Sequence, residues 1–282
     1  MTSRWFKQKK PTGIAALQKG VQGTVGANWN YVDEIPAAQT AVDLFKGTWT
    51  TSFPDDVAVS GGDIALFHDH RLLWLFGVYP DISDWHVLEL GPLEGGHTFM
   101  LHQAGAKKIT AIEAHQLAFL KCLVVKETYN LDRAHFLLGN FEKYLEGPGE
   151  KVDLILASGV LYHLTDPLAT LITMIERSDR IFLWSHFFDA QAMPPGDPRH
   201  VGFTGEVRER EIGAHRLTYH MRSYRGGDID PKFCGGLAPG SVWLDFTEVK
   251  KLFETRGYVV TPVYEHLDHP NGPASALLAH KP

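Results

Sequence analysis

Cysteine is scarce in this 282-residue chain: only Cys122 and Cys234 are present. Two separated thiols, one inside an apolar helical pattern, exclude a disulfide framework and a cysteine-based zinc cluster. They fit a reduced, cytoplasmic protein. Long hydrophobic runs are missing too, and none approaches the roughly 20 residues that span a bilayer. The first ten residues carry basic charge with no apolar segment behind them, so no secretory signal is expected. Positive charge is in deficit, with 27 Lys and Arg against 33 Asp and Glu, a net charge of −6. The basic residues form small groups: Lys7 with Lys9 and Lys10, Arg208 with Arg210, and Arg222 with Arg225. A protein that grips nucleic acid usually carries a basic stripe. Nucleic acid is therefore a disfavoured partner, and a small, uncharged or weakly charged molecule is favoured. Fifteen histidines are present, but they are scattered without a His-x-x-x-His pair in a clear helix, so no metal site is expected.

What is present is a rhythm of short apolar runs alternating with helical patterns, which implies parallel strands joined by crossover helices. Strands are expected at about 86–90, 108–113, 134–138, 152–157 and 180–184, each nearly continuous in apolar residues, as suits strands covered on both faces. Two further strands are expected at 258–264 and 274–279, giving a seven-stranded, mostly parallel α/β sheet flanked by helices. Residues 1–60 lack sustained periodicity and read as an N-terminal arm anchored by Trp29, Tyr31, Phe45, Trp49 and Phe53, with a short helix near 37–45. Residues 61–282 form the main domain. A helix over 64–76 is expected to be capped by Asp63. The pattern breaks at about 189–242, an insert with a hairpin expected at 211–224, and resumes with a helix at 246–256 closed by Gly257.

The stretch His86-Val-Leu-Glu-Leu-Gly-Pro-Leu-Glu-Gly-Gly-His-Thr-Phe99 is the most informative. It reads as strand, glycine turn and helix start, and the turn places Gly where a Cβ would keep a ligand away. Glu113 ends the next apolar run, 22 residues after Gly91. A carboxylate at that offset suits a ribose diol. The third spaced glycine of the dinucleotide fingerprint G-x-G-x-x-G is lacking.

Glu89-x-Gly91-x-x-x-Gly95 resembles the first motif of class I S-adenosylmethionine (SAM) dependent methyltransferases. Three later features follow in the order of that superfamily: Glu113, then Gly139-Asn140-Phe141, then Asp153-Leu-Ile-Leu-Ala-Ser-Gly-Val-Leu-Tyr-His163 with Asp166-Pro167. The string Gly159-Val-Leu-Tyr-His163 is also similar to a segment of the bacterial tRNA wobble-uridine carboxymethyltransferases. The longer runs from Leu88 to His97 and from Phe182 to Asp189 look like a bacterial group within the superfamily. The resemblance implies a Rossmann-like methyltransferase domain, SAM as donor and S-adenosylhomocysteine (SAH) as product. It implies that Glu89, Gly91 and Gly95 wrap the methionine end, Glu113 takes the ribose, Asn140 and Phe141 hold the adenine, and Ser158 lines the donor loop. Arg71, on the helix before the first strand, is expected to reach the SAM carboxylate.

The sulfonium already activates the methyl group, so the protein must chiefly align an acceptor and exclude water. An oxygen or nitrogen acceptor can also need a base. Three side chains are expected at the acceptor side: His163 after the fourth strand, and His186 and Asp189 after the fifth, a base with its orienting carboxylate. The insert, with Arg216, Tyr219, His220, Arg222, Tyr224 and Arg225, is expected to recognise a small-molecule acceptor such as a sugar or natural-product precursor. An RNA-modifying transferase and a catalytically inactive SAM-fold binding protein are the alternatives. Nothing in the sequence specifies the oligomeric state.

Overall fold

The apolar runs become the middle of a sheet. Its strands are β1 (His86–Leu90), β2 (Lys108–Glu113), β3 (Ala134–Leu138), β4 (Leu154–Ser158), β5 (Arg180–His186), β9 (Val259–His266) and β10 (Ala274–His280), in the order β3-β2-β1-β4-β5-β10-β9. The first five are parallel, while β10 runs antiparallel to both β5 and β9. This is the expected seven-stranded α/β sheet, seen in a computed structural model that describes residues 31–55, 58–224 and 235–282. Cys234, Arg225, Trp29 and the lysines near the N-terminus lie outside the described residues.

Alternation along each strand splits the core in two. Leu88, Leu90, Ile155 and Ala157 point to one face, toward Leu168, Leu171 and Phe253. Val87, Leu154 and Leu156 point to the other, toward Phe99, Leu101 and Val125. Helices cover both faces: α3 (Gly96–Gln103), α4 (Gln116–Thr128), α5 (Phe141–Glu146), α6 (Pro167–Arg177) and α7 (Phe246–Thr255), after α1 (Ala38–Val42) and α2 (His70–Val78) in the N-terminal part. Strand order reverses between β1 and β4, which opens a crevice at the carboxyl ends of the strands.

Two local expectations need correction. Asp63 does not cap a helix at 64–76, because Ile64 is paired with the arm: its N–H donates to Thr50 O and its carbonyl accepts from Ser52 N. The helix starts at His70, capped by Asp69, whose carboxylate accepts from Arg71 N. The insert holds more strand than the sequence indicates. A hairpin of β6 (Phe203–Ile212) and β7 (His215–Ser223) is extended by β8 (Gly240–Trp243) into a three-stranded antiparallel sheet. That sheet docks on the loop after β4. Tyr219 Oη donates to Asp166 Oδ1 at 2.6 Å, and Val242 N donates to Leu164 O at 2.8 Å.

Candidate active site

The crevice at the carboxyl ends of the strands widens into a cavity of about 1240 Å³. One half is built by the turn after β1. Gly91 has φ +63°, and a Cβ there would come within 2.5 Å of Val160 Cγ1 from the loop after β4. Gly95, at φ +82°, occupies the cap position of α3. Leu93 takes the left-handed region without being glycine, at φ +56°. Such a conformation is uncommon for a bulky residue and persists only when its surroundings hold it. Glu113 does so: its Oε2 accepts from Leu93 N at 3.0 Å, and its Oε1 accepts from His115 N at 2.8 Å. Burial pushes the Glu113 pKa up, and these backbone donors pull against that.

Glu89 is withdrawn from the cavity lining. Its Oε2 accepts from Thr98 Oγ1 at 2.5 Å, its Oε1 is buried without a partner, and burial pushes its pKa up to about 8. It braces α3 against β1, and only indirectly the turn. Asn140 and Phe141 line the cavity, and Asn140 Oδ1 also caps α5 by accepting from Glu142 N at 2.7 Å. Ser158 and Arg71 line it as well. Arg71 bonds Asp69 through Nε and Nη2 and lies 4.3 Å over the Trp184 ring. His97 Nε2 joins Asp69 at 2.9 Å. Burial by itself would raise the Asp69 pKa, but the bonds and charges of His97 and Arg71 outweigh it and hold that carboxyl well below the usual range.

The other half of the cavity is aromatic and rich in imidazole. His163 and His186 both line it. His163 Nδ1 lies 2.9 Å from Tyr224 Oη. His186, the last residue of β5, stacks on Trp243 at an interplanar angle of 8°. Its Nδ1 lies 2.9 Å from Gly272 O and 3.3 Å from Pro273 O. Both partners are acceptors, so Nδ1 carries the proton and Nε2 the lone pair. Burial lowers both imidazole pKa values to about 4, so both rings are neutral at pH 7.

Asp189 is not brought to His186. Its Oδ1 accepts from Gln191 N and Ala192 N in the following turn, and backbone carbonyls occupy the place the sequence reading gave it. The sequence reading also missed Trp184, Trp243, His269 and Asn271 as lining residues. A topological signal existed for the last two. A final strand antiparallel to β5 returns its preceding loop to the carboxyl edge of the sheet.

Among the described residues no group of three His, Cys, Asp or Glu is placed to hold a metal ion, and no helix is long and apolar enough to cross a membrane.

No family model matches the chain. It is similar to the N-terminal domain of EvdMO1, crystallised in the presence of SAH and D-fucose. The identity is 18% and the TM-score 0.61, covering 87% of this chain and 95% of that one. The YcgJ protein from Bacillus subtilis aligns at 12% identity with a TM-score of 0.52, covering 76% of this chain and 99% of that one. A tRNA U34 carboxymethyltransferase from Campylobacter hominis is 29% identical over 116 residues, 39% of each chain, so this chain spans about two fifths of that curated relative. Together with the strand order and the Gly91 turn, these likenesses show that the chain has the fold of the class I SAM-dependent methyltransferases.

Proposed function

We propose that this protein is a methyltransferase that uses SAM and acts on a protic oxygen or nitrogen of a small molecule. One observation carries the reading. The turn braced by Glu113 and the imidazole of His186 open into the same cavity, which supports a nucleoside on the one and proton removal by the other. The donor half fits SAM. Gly91 leaves backbone exposed where a Cβ has no room, and each Glu113 oxygen keeps a lone pair for a ribose hydroxyl after accepting one backbone N–H. Asn140 and Phe141 stand beside the adenine position. Arg71 offers Nη1 to the ligand carboxylate, since Nε and Nη2 are engaged by Asp69. SAM, when bound, supplies a sulfonium-activated methyl group.

His186 takes the acceptor proton at Nε2. The Nδ1–H bonds to Gly272 and Pro273 hold the tautomer that makes this possible. Tyr162, Trp184 and Trp243 wall the acceptor half. A small acceptor is supported by the aromatic walls, by the net charge of −6, and by the likeness to EvdMO1, crystallised in the presence of D-fucose. Calorimetry tests the donor: one SAH per chain is expected, and absence of binding by both SAH and SAM sinks the reading.

A second reading, transfer to tRNA, draws on the 116-residue similarity to the carboxymethyltransferase. Retention of tRNA at low ionic strength, weakening steeply with added salt, would favour it over a metabolite acceptor.

A further inference from the structure

Arg222 is a charged side chain in an unusual place. It projects from β7 into the acceptor half of the cavity, with its guanidinium 4.4 Å from the ring centroid of Trp243 and 5.4 Å from that of Phe203. Behind it is Gly202, where a Cβ would come within 2.5 Å of Nε and 2.8 Å of Cζ. The guanidinium is therefore half-buried, packed against two rings and bare backbone with its terminal nitrogens toward the cavity. Its Nε is buried and without a partner, and among the described residues the side chain makes no hydrogen bond and no ion pair. Burial disfavours its charge.

The carboxylates that line the cavity are already engaged. Asp69 is held by Arg71 and His97, Glu113 by two backbone amides, and Glu142 by Thr170 Oγ1 at 3.2 Å. Among the described residues the acceptor half adds His163, His186 and His269 and no carboxylate. Even a half-buried charge without a counter-charge is costly. Ring faces soften that cost but present no oxygen to the five N–H donors. Among the described residues no anion faces Arg222, and the guanidinium fork matches a carboxylate or phosphate.

We infer that the acceptor is acidic, and that Arg222 pairs with its carboxylate or phosphate group beside the reacting atom. This rests on the methyltransferase reading and narrows its substrate class. The net charge of the whole chain pointed toward an uncharged or weakly charged substrate, but the local charge of the site is what the acceptor meets.

The test uses the full chain loaded with SAH, at constant ionic strength set by chloride. Inorganic phosphate and acetate are titrated separately while the side-chain N–H signals of Arg222 and of the cavity tryptophans are followed by NMR. A saturable shift with a millimolar Kd is expected for at least one anion, weakened at least tenfold in Arg222→Gln. Which anion saturates tells carboxylate from phosphate. A chain that binds SAH but saturates with neither anion overturns the inference. A chain that binds no SAH instead fails the methyltransferase reading, and the same titration without SAH still reads the anion site. Thermal unfolding of Arg222→Met separates a ligand residue from a structural one. Its Tm should equal or exceed that of the parent protein, because an unpaired, half-buried charge has gone. A marked fall in Tm, with no anion binding in the parent, would show that Arg222 serves packing alone.

Discussion

His186 Nδ1 lies 2.9 Å from the carbonyl oxygen of Gly272, so the loop between β9 and β10 fixes the tautomer of a ring at the end of β5. The sequence places the two residues 86 positions apart. Replacing His186 with Asn keeps a small polar group but removes the lone-pair nitrogen at the acceptor. If His186 is the base, kcat should fall by about 10² to 10⁴ while the Kd for SAH stays within a factor of about two. A loss of SAH affinity equal to the loss of rate would instead show a collapsed site.

Acidification should act on the same ring. Unfolded histidine titrates near 6.5, whereas burial holds His163 and His186 at about 4 in the folded chain. Between those values the unfolded state binds more protons than the native one, so stability must fall as pH drops from about 6.5 toward 4. Melting temperature measured across that window should decline, and the slope should be shallower in His186→Asn. The base form of His186 persists through the same window. The acid limb of kcat, measured on protein that remains folded, should therefore lie well below pH 6.5.

Sequence alone showed the seven strands of the sheet because each is a short apolar run with a turn behind it, and it put Gly91, Glu113 and Asn140 at strand ends, where they line the cavity. Gly91 and Glu113 stand out by the glycine turn and its offset to the next strand end, while Asn140 is named through the superfamily resemblance. The acceptor half was only partly legible. His186 could be named because it ends an apolar run. Its partner could not, since backbone carbonyls leave no mark in the residue type, and Asp189 is consumed by its own turn. Trp243 and Asn271 reach the cavity only through the β6–β8 sheet and the antiparallel return of β10. The start of α2 was misjudged for a related reason. Pairing of Ile64 with Thr50 and Ser52 is tertiary and overrides the helical spacing.

Glu113 offers a test of the donor half. Glu113→Gln keeps one carbonyl acceptor but replaces the other oxygen with a donor, so it confronts one of the N–H groups of Leu93 and His115 and removes the charge for the ribose. SAH affinity should fall by about tenfold or more, in keeping with roughly 1.5–3 kcal/mol for hydrogen bonds to a charged group. The far-UV spectrum should be unchanged. Equal affinity in the two proteins would remove Glu113 from the donor site.

Gly91→Ala probes the same turn from the backbone side. The added methyl meets Val160 Cγ1 at 2.5 Å and must also sit at φ +63°. A combined cost of about 1–3 kcal/mol is expected. Val160→Ala in the same chain should recover the steric part, leaving the strain at φ. Urea midpoints of the single and double variants measure the split.

The arm is tied to the donor half through one buried ion pair. Glu94 Oε1 lies 2.7 Å from Lys121 Nζ, with side-chain exposures of 1% and 5%. The carboxylate also accepts from Thr50 N and Thr51 N, and Lys121 Nζ donates to Thr48 O. Thr50 in turn lines the cavity, and Glu94 sits within the turn that carries Gly91 and Gly95. Lys121→Met leaves a buried carboxylate with its counter-charge gone, which should cost about 3–5 kcal/mol. Glu94→Gln leaves Lys121 as the unpaired buried charge and turns an amide NH2 toward either Lys121 Nζ or Thr51 N, so its cost should be of the same order. In both variants amide exchange at Thr50 and Thr51 should accelerate well before the sheet opens, because the arm alone loses its tether. SAH binding should weaken in proportion to that acceleration. If exchange at these amides stays as slow as in β1, the arm is held by Trp49 and Phe53 packing and the ion pair is dispensable.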